Sequence, residues 1–361
     1  MSTYDLAVIG AGPAGSATAI TAVAAGAKVL LLERGRFPRH KVCGEFVSAE
    51  SLNLLQQLLR DEDRHLISRA TRIPRSRIFV DSAEIPAEIS PPAASITRFD
   101  LDAALWRSCV AHGVDAREDC AVRSIEGVGP FQIKTDGLAF EAKALVNATG
   151  RWSNLTPSRT ATDPRWIGIK AHFSEVSPPA SVDLYFFKGG YCGVQPISSE
   201  NGTGAVNACA MVSAKVATDL SEVLRLHHAL YERSRKWQPM FSPVTTSPLI
   251  FHDPEPVHEY MLQAGDSATF VDPFIGDGIS LALRSGALAA QCLAPFLCGK
   301  ATLLQATSEY RRLYQQRLSH VFRASSILRR FFGWPALVRR PILGFLQGRP
   351  RLTRRIVQMT R

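Results

Sequence analysis

A glycine triplet, Gly10-x-Gly12-x-x-Gly15, stands between two short apolar runs near the start of this 361-residue chain. It constrains the fold more than any other stretch. Leu6–Ile9, just before the triplet, is short, apolar and β-branched, which predicts a strand buried on both faces of a parallel sheet. Gly10 permits a tight turn, Gly12 lets a pyrophosphate approach the backbone, and Gly15 lets a helix pack closely on the strand. The helix N-terminus then faces the phosphates. Lys28–Leu32 predicts a second strand, and Glu33 ends it about 20 residues beyond the glycines, where a carboxylate can accept hydrogen bonds from ribose hydroxyls. Strand, triplet, helix, strand and acid in this order predict a nucleotide site.

With 46% hydrophobic residues the chain can bury a sizeable core, and its length suits two interleaved domains. Asp5 precedes any basic-then-apolar segment and no apolar run is uninterrupted for the length of a bilayer, so neither a secretory leader nor a membrane span is expected. The seven cysteines include no Cys-x-x-Cys pair, which suggests reduced thiols in a cytoplasm and no metal site. The net charge of +10 is uneven. From Tyr310 onward there are thirteen arginines and no Asp, Glu or Lys.

The segment Arg34–Phe46 predicts a charged loop in which Cys43-Gly44 leaves the nucleotide site. Ser48–Leu59 carries leucines at helical spacing, and Arg77-Ile-Phe-Val80 predicts a strand, while the rest of residues 60–96 is polar and proline-rich. A helix follows with Asp100 as a candidate N-cap. Residues 121–144 suggest a strand meander, and the next strand ends in Ala148-Thr149-Gly150. Residues 166–213 change to alternating strands, as in an inserted antiparallel sheet. Their aromatic content suits an apolar cavity wall, with His172 and Cys192 as its few polar members. Tyr260–Asp266 returns as a strand ending in an acid, before the turn Pro273-x-x-Gly276-x-Gly278 opens another helix, whose N-terminus stabilises negative charge.

These motifs, in this order and with Arg98-x-Asp100, resemble the FAD-dependent geranylgeranyl reductase family, within the flavoprotein monooxygenase superfamily of the para-hydroxybenzoate hydroxylase fold. The resemblance covers about residues 1–300. It implies an α/β chain with an FAD-binding Rossmann-like domain of glutathione reductase type (1–72, 97–160 and 255–300), an inserted antiparallel-sheet substrate domain (73–96 and 161–254) and a basic helical C-terminal region (301–361). The cofactor is then FAD, contacted by Gly10, Gly12, Ala14, Gly15, Glu33, Arg34, Cys43, Gly44, Arg98, Ala121, Gly150, Asp266, Pro273, Gly276, Gly278 and Ile279. Cys43 and Tyr191 are the candidate catalytic residues, and His172, Phe187, Tyr191 and Cys192 face the substrate. The implied reaction is reduction of a carbon–carbon double bond in an apolar, isoprenoid-like substrate by reduced FAD. The electron donor, NAD(P)H or ferredoxin, stays open.

Two other functions remain: a flavin monooxygenase hydroxylating an aromatic or polyketide-like substrate, and a non-catalytic prenyl or nucleic-acid binding protein on the same fold. No tryptophan stands in the Trp-x-Trp-x-Ile-Pro context of flavin halogenases, which disfavours chlorination. In residues 310–361, Leu318, Val321, Phe322, Leu328 and Phe332 recur at helical spacing beside arginines. The tail therefore either binds an anionic membrane surface, making the protein peripheral on the inner face, or caps the core. Nucleic acid is disfavoured by the interleaved apolar residues.

Overall fold

The computed structural model describes residues 2–151, 155, 165–198, 204–270 and 276–319, with single positions 321, 322, 331, 338 and 341 beyond them. In chain order the first elements are β1 (Ser2–Ile9), α1 (Pro13–Ala24), β2 (Val29–Leu32), β3 (Phe46–Val47), α2 (Ala49–Leu58), α3 (His65–Ser68), β4 (Thr71–Val80), β5 (Ala83–Ser95), α4 (Arg98–Ala111), β6 (Asp115–Arg117), β7 (Val122–Glu126), β8 (Phe131–Thr135) and β9 (Ala139–Asn147). The others are β10 (Trp166–Ser174), β11 (Val182–Phe187), β12 (Gly190–Ile197), β13 (Ala205–Ser213), α5 (Leu220–Leu224), α6 (His228–Ser234), β14 (Gln238–Pro239), β15 (Val244–Leu249), β16 (Val257–His258), β17 (Met261–Gln263), α7 (Gly278–Leu297) and α8 (Leu303–Arg317).

The first sheet has the order β16-β17-β9-β1-β2-β6, with β8 and β7 added beside β9. Its centre is parallel: β1 pairs in register with both β2 and β9, and β17 lies parallel to β9. Burial on both faces explains the uninterrupted apolar runs. On one side Leu6, Val8 and Leu31 join Ala17 and Ile20 of α1, Leu101 and Leu105 of α4, and Leu283 of α7. On the other, Ala7, Ile9 and Leu30 pack with Phe131, Ile133 and Phe140. A Cβ on Gly15 would fall 1.8 Å from the Gly10 carbonyl oxygen, and one on Gly286 would fall 2.1 Å from that of Ala14. Glycine is therefore the residue that lets α1 lie against the turn and α7 against α1. Thr18 Oγ1 seals the second crossing by donating to the Gly286 carbonyl at 3.0 Å.

The second sheet runs β14-β10-β13-β12-β11-β4-β5-β3, with β15 sharing with β14 the edge of β10 away from β13. It is antiparallel except where β11 meets β4. One face packs on α5 and α6 through Phe173, Tyr185, Cys192, Val194, Leu220, Val223 and Leu230. The opposite face turns toward the first sheet.

Several expectations are corrected. Residues 83–95 form a strand despite their prolines. The β4–β5 register jumps between Ile73 and Arg75, so Pro91 and Pro92 fall in an exposed bulge where no ladder amide is needed. Helix α4 is capped by Thr97, whose hydroxyl accepts from the Asp100 amide at 3.1 Å, and Asp100 lies inside the first turn. Asp266 lies in a short helical turn, Gly265–Ser267, just beyond β17. Helix α7 has the length and mean hydropathy (1.2) of a membrane span, yet 67% of that window is buried within the protein. In the C-terminal region Tyr310, Tyr314, Leu318 and Val321 join the core of the first sheet, and the Phe322 ring stacks on Tyr314 at 6.3 Å. Leu318, Val321 and Phe322 thus cap the core. Leu328, Phe332 and most of the arginines lie outside the described residues.

Candidate functional site

The C-terminal ends of β1, β2, β9 and β17 open onto one cavity of about 1280 Å3, whose far wall is the second sheet. Strand ends at such a crevice are where open α/β sheets bind ligands. The volume exceeds the roughly 300–1,000 Å3 usual for a pocket holding one ligand, so a cofactor and a substrate can share it.

On the first-sheet side glycines bring the backbone to the cavity at Gly10, Gly12 and Gly150. Gly10 has φ +96°, and a Cβ there would sit 2.5 Å from the Ala148 carbonyl oxygen. Gly12 caps α1 and is open, its nearest neighbour being an Arg98 amino group 3.6 Å from a built Cβ. Glu33 is buried and lies where the motif requires. Its carboxylate accepts from the Ala11 and Gly35 amides, each at 3.0 Å, and pairs with Arg39 at 3.0 Å. Burial pushes Glu33 up, but Arg39 and the two amides outweigh it and hold the carboxyl below its ordinary value. Asp266 faces Arg151 at 3.6 Å.

Ala14, Arg34, Gly44, Ala121, Gly150, Gly276, Gly278 and Ile279 also line the cavity. Gly15 lies beneath the turn as a packing contact, and Pro273 lies outside the described residues.

Arg98 lines the cavity at the start of α4. Asp102 holds its guanidinium at 2.7 and 2.6 Å. Cys43 lies beside it. Burial pushes the Cys43 thiol up against the pull of Arg98, so the group is a neutral S–H donor at neutral pH.

On the second-sheet side, strand alternation decides which side chains arrive. Tyr191 and Met211 face the cavity and cluster with Leu249 and Phe270. Gly168, Cys209, Ala210, Val244, Thr245, Thr246 and Ser247 also line this wall. Three expected substrate residues do not reach it. Cys192, next to Tyr191, points to the opposite face, where burial pushes its thiol up to about 12. Phe187 packs against that same face. His172 is on the near face but is buried against Glu45, its Nε2 2.8 Å from Glu45 Oε2.

The sequence reading missed Lys41 and Glu45, both of which line the cavity. Arg39 pairs with Glu33 and Arg98 with Asp102, whereas Lys41 has no ion pair among the described residues. Burial, then Arg98 and Arg39, bring the Lys41 amine down to about 8. Glu45 is fully buried with φ +63°, a left-handed backbone that only surrounding contacts can enforce on a non-glycine residue. Lys170 Nζ donates to its Oε1. One signal was available: Lys170 and His172 alternate with apolar residues in Ile-Gly-Ile-Lys-Ala-His-Phe, marking one face of β10 as polar.

The description "FAD dependent oxidoreductase" matches residues 38–192. Conditioned medium factor receptor 1 of Dictyostelium discoideum is 24% identical over 91% of this chain and 71% of its own. Tryptophan 2-halogenase of Chondromyces crocatus is 24% identical over 92% and 68%. Digeranylgeranylglycerophospholipid reductase 1 of Methanothermobacter thermautotrophicus is 26% identical over 88% and 84%. Among solved structures, the flavin-dependent brominase Bmp2 superposes with a TM-score of 0.79 at 21% identity, over 99% of this chain and 93% of that one. A geranylgeranyl bacteriochlorophyll reductase-like protein of Thermoplasma acidophilum gives 0.78 at 20%, over 100% and 96%. The fold is shared with a reductase-like protein and with a halogenase alike.

Proposed function

We propose that this chain, which matches the FAD-dependent oxidoreductase description over residues 38–192 and shares the fold of a geranylgeranyl bacteriochlorophyll reductase-like protein, saturates a carbon–carbon double bond in an apolar, isoprenoid-like substrate. The observation that carries this reading is the cavity wall formed by Tyr191, Met211, Val244, Leu249 and Phe270. Such a wall desolvates a hydrocarbon chain and offers few groups for polar recognition.

The residues opposite fit FAD. Gly10 and Gly12 leave the α1 N-terminus clear for a pyrophosphate. Glu33 and Asp266 are suited to sugar hydroxyls, and the N-terminus of α7 lines the same space. When bound and reduced, FAD would supply a hydride equivalent to the first alkene carbon. The chain supplies the rest. Tyr191 and its apolar neighbours exclude water, and the protonated Cys43 thiol or the Tyr191 hydroxyl is a proton source for the second alkene carbon. The digeranylgeranylglycerophospholipid reductase among its relatives supports this substrate class.

Stopped-flow mixing of anaerobic, chemically reduced protein with a prenyl alkene tests the reading. Flavin colour should return as the saturated product forms. Return of colour only after air is admitted would overturn it.

A second reading, oxygen-dependent hydroxylation or halogenation, is favoured by the halogenase relatives and the brominase fold match. It requires dioxygen, and its halogenating form requires halide. The same mixing with air and bromide present reads both.

A further inference from the structure

The cavity-facing side of the second sheet is largely apolar, but one row of polar side chains crosses it. His172 on β10 is the register partner of Asn207 on β13, and Asn207 is the register partner of Gln195 on β12. All three reach the same turn. Asn207 Nδ2 donates to the Cys43 and Gly44 carbonyls at 3.0 and 2.9 Å. Gln195 Nε2 donates to the Glu45 carbonyl at 3.1 Å, and His172 meets the Glu45 carboxylate. Lys170, two residues before His172 on the same face of its strand, supplies the opposite charge.

Glu45 then faces the other way. Its carboxylate accepts from the Arg98 amide at 2.8 Å, and its own amide donates to Cys43 Sγ at 3.3 Å. The Ile96 amide donates to its carbonyl at 3.0 Å.

Burying a carboxylate and an amine together is a weak route to stability, because well-packed apolar residues do as well or better. It is a strong route to geometry. Each charge fixes the other's distance, and leaving either unpaired is heavily disfavoured. We propose that Glu45 is a positioning residue: Lys170 and His172 on the second sheet fix its carboxylate, and through it the Cys43 thiol and Arg98 are held at the cavity. The substrate-facing sheet thereby sets the turn that serves the flavin side. The inference rests on the proposed role of Cys43.

Two variants test it, Glu45→Gln alone and Glu45→Gln combined with Lys170→Met. The readouts are kcat and KM, the melting temperature, and labelling of Cys43 by a thiol reagent, assigned by peptide mass. Glu45→Gln should lower kcat on the order of 10²-fold, as a displacement of about 1 Å does, with KM little changed and Cys43 labelled faster. The double variant removes the uncompensated amine, so it should recover the melting temperature but neither kcat nor slow labelling. Recovery of kcat along with melting temperature would make the cluster merely structural and overturn the proposal, as would wild-type kcat and labelling in Glu45→Gln. Labelling is also read in flavin-free protein. A wild type that binds no FAD would sink the functional reading, while the labelling rates would still decide the role of Glu45.

Discussion

The two walls of the cavity are made differently. The wall at the ends of β1, β2 and β9 brings backbone to the cavity through stretches such as Gly10–Ala14 and Ala148–Gly150 that are continuous in sequence. The wall opposite is made of side chains from β10, β12, β13 and β15, brought together by register. A backbone surface tolerates no added atom where chain meets chain. A side-chain surface has give, and its chemistry depends on which face of a strand each residue occupies.

Glycine substitution should separate the walls most strongly. In Gly15→Ala the new Cβ would meet the Gly10 carbonyl oxygen at 1.8 Å, and no backbone at that crossing can yield without moving the turn. A loss of about 3 kcal/mol and of FAD retention is expected in chemical denaturation and flavin fluorescence. In Gly193→Ala the nearest atom is the mobile end of Leu184 at 3.3 Å, so a change of less than about 1.5 kcal/mol is expected. Equal damage from the two would erase the distinction.

Glu33→Gln should come next. It removes the charge that Arg39 faces and weakens the acceptor offered to a ribose, by about 1.5–3 kcal/mol, or roughly 10–100-fold in the FAD dissociation constant. A fluorescence titration that shows no change would place the ribose elsewhere.

Lys41 sharpens the comparison through pH. Glu33 and Arg39 face it from the end of β2, Arg98 and Asp102 from α4. Its folded value of about 8 is below the ordinary 10.5, so the unfolded chain holds the proton more strongly. The charged amine therefore opposes folding of the flavin-free protein below about pH 8, and this opposition is relieved as pH rises from 8 toward 10.5. A bound pyrophosphate favours the charged form instead. FAD affinity should fall as pH rises through 8, whereas Lys41→Met should bind more weakly at pH 7, by about tenfold, with that pH step gone. The flavin-free variant should melt above the wild type at pH 7. An unaltered pH step in Lys41→Met would assign it to another group.

The smallest effect is predicted for the residue next to Tyr191. Cys192→Ala removes one sulfur from the face covered by α5 and α6 and should lower stability by about 1 kcal/mol, with turnover per folded molecule unchanged. Tyr191→Phe should do the reverse, slowing turnover with little change in melting temperature. If Cys192→Ala slows turnover and Tyr191→Phe does not, the assignment of faces is wrong.

This asymmetry also explains what could be read in the sequence. Gly10, Gly12, Gly15 and Glu33 are legible because a turn, a helix start and a strand end impose fixed spacings along one continuous stretch. The row His172, Asn207 and Gln195 is not legible, since nothing in any single strand says which residues of its neighbours stand alongside. Cys192 and Phe187 were misplaced for a related reason. In an aromatic-rich strand covered on both faces, composition does not mark which alternate set faces the cavity. β5 was hidden because prolines argue against a strand, although Pro91 and Pro92 fall in a bulge, and Lys41 and Glu45 because charge within a loop ordinarily signals solvent.

The proposed delivery of a hydrogen pair to an alkene in this cavity is read most directly by product mass. Reduced protein is mixed with a prenyl alkene in deuterated water, once without oxygen and once with air and bromide. A saturated product carrying two deuterons is expected in the anaerobic sample, and no oxygenated or brominated product in the other. Unreacted alkene without oxygen, together with a product that has gained oxygen or bromine in air, would contradict it.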